Sequence, residues 1–200
     1  MSGSPYVWPV RQLVAGYRLL FGLLTLGAVG YLATRVPSLP NLLSYFTVLS
    51  NLFGAGVLLV GAFRPVPDLV RGAATLYLGM TGIVFALLLS GLDLGLLEPW
   101  ANTVLHYVMP VVLVADWLLV PPRGGFPVAR SLWWLVFPAV YLPYTLVRGA
   151  LVGWYPYPFV DPRPRGYPHV VTMSVGIAVA FGVAALAVGW AGDALGRRKS

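Results

Sequence analysis

Apolar runs of about twenty residues recur six times along this chain, separated by short breaks of Pro, Gly and Arg. At 1.5 Å per residue, roughly 20 apolar residues in a helix cross the hydrocarbon of a bilayer. The runs fall at 10–34, 42–63, 69–90, 100–120, 131–152 and 168–190, and each predicts a transmembrane helix. The breaks Arg35-Val36-Pro37-Ser38-Leu39-Pro40, Arg64-Pro65-Val66-Pro67-Asp68 and Pro121-Pro122-Arg123-Gly124-Gly125 cannot continue a helix. Connections this short join antiparallel neighbours. The expected architecture is an all-α membrane protein, a single bundle of six transmembrane helices with short loops over residues 1–200. The first run is too long for a signal-peptide core and lacks a small-residue cleavage pattern, so it is expected to be retained.

Composition agrees with the pattern. Hydrophobic residues make up 58% of the chain and charged residues 10%, where a soluble domain carries about a quarter charged. The net charge of +7 is carried by basic residues that punctuate apolar runs. They read as topology signals and anionic-lipid contacts, and nucleic acid is not expected as a partner. Arg11, Arg64, Arg71, Arg123, Arg130, Arg197, Arg198 and Lys199 lie on the side of the termini. Arg35, Arg148, Arg163 and Arg165 lie on the other, where the third loop carries only Asp93 and Glu98. The excess predicts both termini inside the cell and a cell-membrane location. With no cysteine, there is no disulfide framework, thiolate catalysis or iron–sulfur centre. Two histidines and six acidic residues are few for a transition-metal site, so no metal or cofactor is expected.

The polar positions inside the runs carry the candidate chemistry. Thr47 and Asn51 are four apart in the second run, as are Asn102 and His106 in the fourth, so each pair shares one helix face. Counted from the outer boundary, Thr47 and His106 both fall about 8–9 Å deep, and the two faces are expected to meet. An imidazole accepts and returns a proton near neutral pH, and ionisable groups inside a membrane are expensive unless they function. Thr47 alone reads as a hydroxyl bonded to its own helix; with His106 as its base it becomes a nucleophile. His169, at the start of the sixth run, is the reserve base. Asn51 and Asn102 either donate to an oxyanion or tie helices together.

Asp116 lies ten residues after His106, about 15 Å along the helix, too far to orient it. Arg18 of the first run is its expected partner in a structural ion pair. Arg148 either receives a substrate carboxylate or reaches out to the headgroups. Gly149-x-x-x-Gly153 suits close helix packing. Between the fifth and sixth runs, Trp154, Tyr155, Tyr157 and Phe159 alternate with prolines. They form either an interfacial aromatic anchor or a cover over the mouth of the site.

Three features carry a resemblance over most of the chain. They are Tyr45-Phe46-Thr47-Val48-Leu49-Ser50-Asn51, then Asn102-x-x-x-His106 followed by Pro110, then the turn Trp154-Tyr155-Pro156-Tyr157-Pro158-Phe159. In these the chain resembles the androgen-induced protein family of membrane threonine hydrolases, as a shorter, proline-richer, prokaryotic-type relative. The resemblance implies hydrolysis of lipid esters, notably fatty acid esters of hydroxy fatty acids, with Thr47 as nucleophile and His106 as base. Membrane lipids or fatty-acyl esters would then be the partners. The alternative is a non-catalytic lipid-binding or transport protein in which the same polar face holds a ligand. Paired repeats and several intramembrane charges, common in transporters, do not stand out here.

Overall fold

Ser44 and Tyr45 interrupt what the hydropathy pattern draws as one continuous second helix, and this break sets the geometry of the site. The computed structural model describes residues 7–91 and 98–198. The topology residues Asp93 and Lys199 lie outside them. The elements in chain order are α1 (Val7–Ala33), α2 (Leu39–Leu42), α3 (Phe46–Phe63) and α4 (Asp68–Val84), which continues as a π-helical turn, Phe85–Leu89. The fourth span is α5 (Pro99–Thr103), a π turn (Val104–Val108) and α6 (Met109–Leu119). A 3-10 segment, Val128–Leu135, leads into α7 (Val136–Val152), and a short 3-10 turn, Pro158–Val160, precedes α8 (Pro162–Arg198). Among the described residues there is no strand, and six helices are long and apolar enough to cross a membrane. The chain is an all-α, multi-pass membrane bundle.

Helices α3 and α4 form its centre. Leu58, Leu76, Leu78, Met80, Leu105, Met109 and Leu113 are almost wholly enclosed there. Small residues let the helices close up: at Gly82 a Cβ would sit 3.0 Å from the Pro110 ring. By contrast, α7 and α8 turn many large apolar side chains outward, among them Val140, Val147, Leu151, Val175, Val179 and Val183. In a soluble protein that surface would be a liability; facing acyl chains it is the expected exterior.

Several boundaries differ from those drawn on hydropathy. The second span begins at Phe46 instead of residue 42, because α2 ends at Leu42 and Tyr45 is extended. Irregular backbone at membrane depth survives only where other groups satisfy it. Here the tyrosines of α7 do so. Tyr141 donates to the Ser44 carbonyl (2.8 Å), and Tyr144 bonds the Ser44 hydroxyl (2.9 Å). The fifth span starts earlier, at Val128, and the sixth runs from Pro162 to Arg198 with a break at Gly166, whose φ of 75° requires a residue without a Cβ.

The Gly149-x-x-x-Gly153 pair does not mediate helix packing. A Cβ on Gly149 would strike the Tyr155 ring, and Gly153, with φ 68°, ends α7. Both glycines serve the aromatic loop that follows.

At the end of the bundle away from that loop, Asp116 bonds Arg18 at 2.7 Å as anticipated. It also bonds Arg71 at 3.0 Å. Counted above as a boundary charge, Arg71 is in fact buried, and it also donates to Asp68 and to the Asp116 and Val120 carbonyls. Two arginines and two aspartates leave this cluster neutral, which is how charges persist in a low-dielectric interior.

Candidate active site

Thr47 is the second residue of α3, and that position matters chemically. The first N–H groups of a helix have no partner within it and carry the positive end of its dipole. In α3 two tyrosine hydroxyls take them. The Phe46 N–H donates to Tyr141 (3.0 Å) and the Thr47 N–H to Tyr157 (3.2 Å). The Thr47 hydroxyl lies 3.3 Å from the Tyr157 hydroxyl and 3.3 Å from Nε2 of His106. Thr47, His106 and Tyr157 are all buried. Tyr157 lies between the spans' ends in the aromatic loop, and burial pushes its phenol above the ordinary value. It therefore meets Thr47 as an O–H.

His106 sits in the π turn of the fourth span. Pro110 is four residues on; it has no N–H for the His106 carbonyl, and in a regular α-helix its ring would clash there. The wider turn relieves both, and π turns of this kind often mark functional sites. A second π turn, beginning at Phe85, lies alongside: the Phe85 ring stacks on the imidazole with centroids 4.1 Å apart. The other ring nitrogen, Nδ1, is 3.3 Å from the Asn102 carbonyl. A carbonyl only accepts, so that bond places the proton on Nδ1 and leaves Nε2 with a lone pair toward Thr47. The 3.3 Å separation is slightly longer than the roughly 2.6–3.2 Å of a pair transferring a proton, as is common before substrate binds.

The remaining sequence candidates divide. Asn51 spends both amide hydrogens on carbonyls, Thr47 (2.9 Å) and Leu105 (3.2 Å). Placed so, it does not donate to an oxyanion; it straps α3 to the turn that carries His106. Asn102 reaches His106 through its backbone carbonyl, while its side-chain oxygen is buried without a hydrogen-bond partner. His169 is not among the hydrogen-bond partners of Thr47. Arg148 donates to Asn41 (2.7 Å) and lies over the Trp154 ring at 5.3 Å.

Of the four loop aromatics, Tyr157 turns furthest inward. Phe159 stacks on it at 5.1 Å, Trp154 meets Tyr45 edge-on at 5.4 Å, and Tyr155 lies beneath Arg163. The loop is clasped by Arg163, which bonds Asp161 and the Gly153 carbonyl. These bonds hold the Asp161 carboxyl below its ordinary range. Tyr141 is a site residue that the sequence did not single out, and Tyr45 entered only as the first residue of a motif, with no role of its own. Both are tyrosines at apolar depth, and that cost alone could have flagged them.

Two spaces adjoin Thr47. One is an apolar cavity of about 220 Å³ between α7 and α8, lined by Phe46, Met80, Leu142, Ile177 and Phe181, with the exposed Ala139 and Ala178 on its rim. The other is a chamber of about 30 Å³ against His106. Toward the loops lies a more polar vestibule of about 400 Å³, which includes Ser38, Asn41 and Asp161. No group of three or more His, Cys, Asp or Glu side chains is placed to hold a metal among the described residues. No family profile, curated protein or solved structure matches the chain.

Proposed function

We propose that the protein is a membrane-embedded lipid ester hydrolase that works through Thr47 and His106. The observation that carries this reading is the ordered chain from the Asn102 carbonyl to Nδ1, and from Nε2 to the Thr47 hydroxyl. A nucleophile, a base and a group that orients the base are the parts that acyl transfer requires. His106 takes the Thr47 proton as the threonine oxygen attacks the ester carbonyl. The leaving alkoxide then receives that proton from Nε2 and departs as the alcohol. Water follows: His106 takes its proton, its oxygen bonds the acyl carbon, and the bond to Thr47 breaks as Nε2 returns the proton to the threonine oxygen, releasing a fatty acid.

The oxyanion donor in this reading is the Tyr157 hydroxyl at the start of α3, in place of Asn51. The apolar cavity supports a fatty-acyl substrate entering from the bilayer between α7 and α8. Fatty acid esters of hydroxy fatty acids are the class to test first, following the resemblance to the androgen-induced family of threonine hydrolases. The charge bias supports a cell-membrane location with both termini inside, Arg71 being set aside as buried.

The test is incubation of the purified protein with such esters and with a fluorophosphonate probe. The expected result is ester cleavage and labelling in wild type, both lost in Thr47→Ala, with cleavage also lost in His106→Ala. Labelling that persists in Thr47→Ala would remove Thr47 as nucleophile. A copurified lipid that stays intact and is retained by Thr47→Ala would favour binding without chemistry.

A further inference from the structure

The apolar cavity beside Thr47 has a definite length. On α7 and the segment before it the wall runs from Leu135 to Leu142, and on α8 from Ser174 to Phe181. Each stretch advances seven residues of helix, or about 10 Å. Thr47, Tyr157 and Phe159 stand at the end toward the aromatic loop, and Met80, Leu135 and Phe181 at the other. Rings close that far end: Phe46 stacks on Phe137 (5.2 Å) and meets Phe181 edge-on (5.7 Å). An extended alkyl chain advances about 1.3 Å per carbon, so the cavity's length takes roughly eight carbons. Volume gives nearly the same count. The cavity's 220 Å³ or so is roughly seven times a water molecule's share of about 30 Å³, and a methylene needs about as much.

The side facing the bilayer is open. Ala139 of α7 and Ala178 of α8 lie on the rim, midway along the wall, and both are exposed. At this height α8 packs against the 3-10 segment and α4 instead of against α7. The larger neighbours Val140 and Val179 face the exterior and take no part in the lining.

We propose that the first eight or so carbons of the acyl half, counted from Thr47, lie in this cavity, and that the rest of a longer chain leaves sideways between Ala139 and Ala178 into the bilayer. These two alanines then set the acyl length that the protein accepts. The inference rests on the hydrolase reading and adds acyl specificity to it. An acyl chain gains no hydrophobic free energy on passing from lipid tails to an apolar wall, because both are equally apolar. Length is therefore selected only by steric limits. With the gap open no limit acts, and short and long chains are cleaved alike. With the gap plugged, the rings at the far end stop the chain.

The experiment supplies full-length protein in lipid nanodiscs with the hexanoyl and hexadecanoyl esters of one eighteen-carbon hydroxy fatty acid. The shared half keeps both esters in the bilayer. Supplied together, they report the ratio of hexadecanoic to hexanoic acid released, which does not depend on the amount of active protein. Wild type and Val179→Trp, which adds bulk outside the gap, are expected to give a ratio near one. Ala178→Trp and, from the other helix, Ala139→Trp are expected to lower it by about tenfold or more, the scale on which an apolar pocket discriminates by size. A second measurement needs no variant. Alkyl fluorophosphonates bonded to Thr47 with loss of fluoride carry a photoreactive diazirine at the fifth or the fourteenth carbon. The fifth is expected to crosslink to α7 and α8, and the fourteenth to nanodisc lipid. If wild type cleaves the hexanoyl ester but rejects the hexadecanoyl one, if both plugged variants keep the wild-type ratio, or if the fifth carbon crosslinks to lipid, the proposal is overturned while the hydrolase stands. If wild type cleaves neither ester, both fall together.

Discussion

The backbone N–H of Thr47 donates to the hydroxyl of Tyr157 at 3.2 Å, and the same hydroxyl lies 3.3 Å from the Thr47 side chain. One phenol from the loop thus touches the candidate nucleophile twice. As an acceptor from the N–H, it has its own hydrogen to donate at the Thr47 side chain, where charge develops in the proposed reaction. Tyr157→Phe retains the ring, its stacking on Phe159 and its burial, and removes only the hydroxyl. The expected outcome is a fall in kcat by roughly 10²–10³, the effect of losing one oxyanion donor, with KM little changed. Steady-state kinetics on a hydroxy-fatty-acid ester check it, and an unchanged kcat would reduce Tyr157 to packing.

Asn51 acts at one remove from the chemistry. Its amide bonds the carbonyls of Thr47 and Leu105, so it fixes the register between the helix of Thr47 and the turn carrying His106. Its side-chain oxygen is buried without a partner, so the residue's contribution to stability is small. In Asn51→Leu, of similar bulk, the fold is expected to persist while kcat drops by about tenfold or more, because a misplacement near 1 Å is enough to cost that. Circular dichroism and thermal melting in detergent, beside kinetics, separate the two effects. Loss of folding with no selective loss of kcat would make Asn51 purely structural.

The six spans were legible in the sequence because hydrocarbon thickness fixes their length and no other fold tolerates such runs. The meeting of Thr47 with His106 could be anticipated from four-residue spacing and matched depth, although the depth count placed Thr47 well inside a helix that in fact starts one residue before it. Nothing local announces that start. It depends on Tyr141, some hundred residues on, satisfying the Ser44 carbonyl and the Phe46 N–H, with Tyr144 holding the Ser44 hydroxyl. For the same reason Arg71 read as a boundary charge: its partner Asp116 lies 45 residues away, and hydropathy carries no information about pairing. Tyr157 was visible as part of an aromatic cover, but not as a hydroxyl aimed at Thr47.

The Arg18–Asp116–Arg71 cluster belongs to stability and not to the site. Asp116 is buried against both guanidinium groups, and removing it leaves Arg18 with no carboxylate and Arg71 with Asp68 alone. Breaking a buried ion pair on one side costs about 3–5 kcal/mol. Asp116→Ala is therefore expected to melt well below wild type, while any protein that stays folded reacts with the fluorophosphonate probe at the wild-type rate. Double replacement of Arg18 and Asp116 by Leu is expected to recover much of the loss. A melt of the single variant equal to wild type would show that the cluster is dispensable.

The loop that carries Tyr157 is clasped by Asp161 and Arg163, and the clasp has a definite pH sign. Arg163 hydrogen bonds hold the Asp161 carboxyl below its ordinary range in the folded protein, whereas in an unfolded chain it titrates near 3.9. A depressed folded value means that the ionised form stabilises the closed loop. That contribution is complete above the unfolded value and is lost as pH falls through the folded one. Between about pH 5 and 8 the clasp should be insensitive to pH, so any activity change in that window arises elsewhere. Asp161→Asn removes the charge at every pH and leaves Arg163 one amide oxygen in place of the carboxylate, beside the Gly153 carbonyl. The expected outcome is faster hydrogen exchange in the 153–163 segment of Asp161→Asn at neutral pH, with the transmembrane helices unaffected and kcat lowered as Tyr157 loses its fixed position. Exchange rates in 153–163 equal to wild type would mean that proline and aromatic packing hold the loop without the clasp.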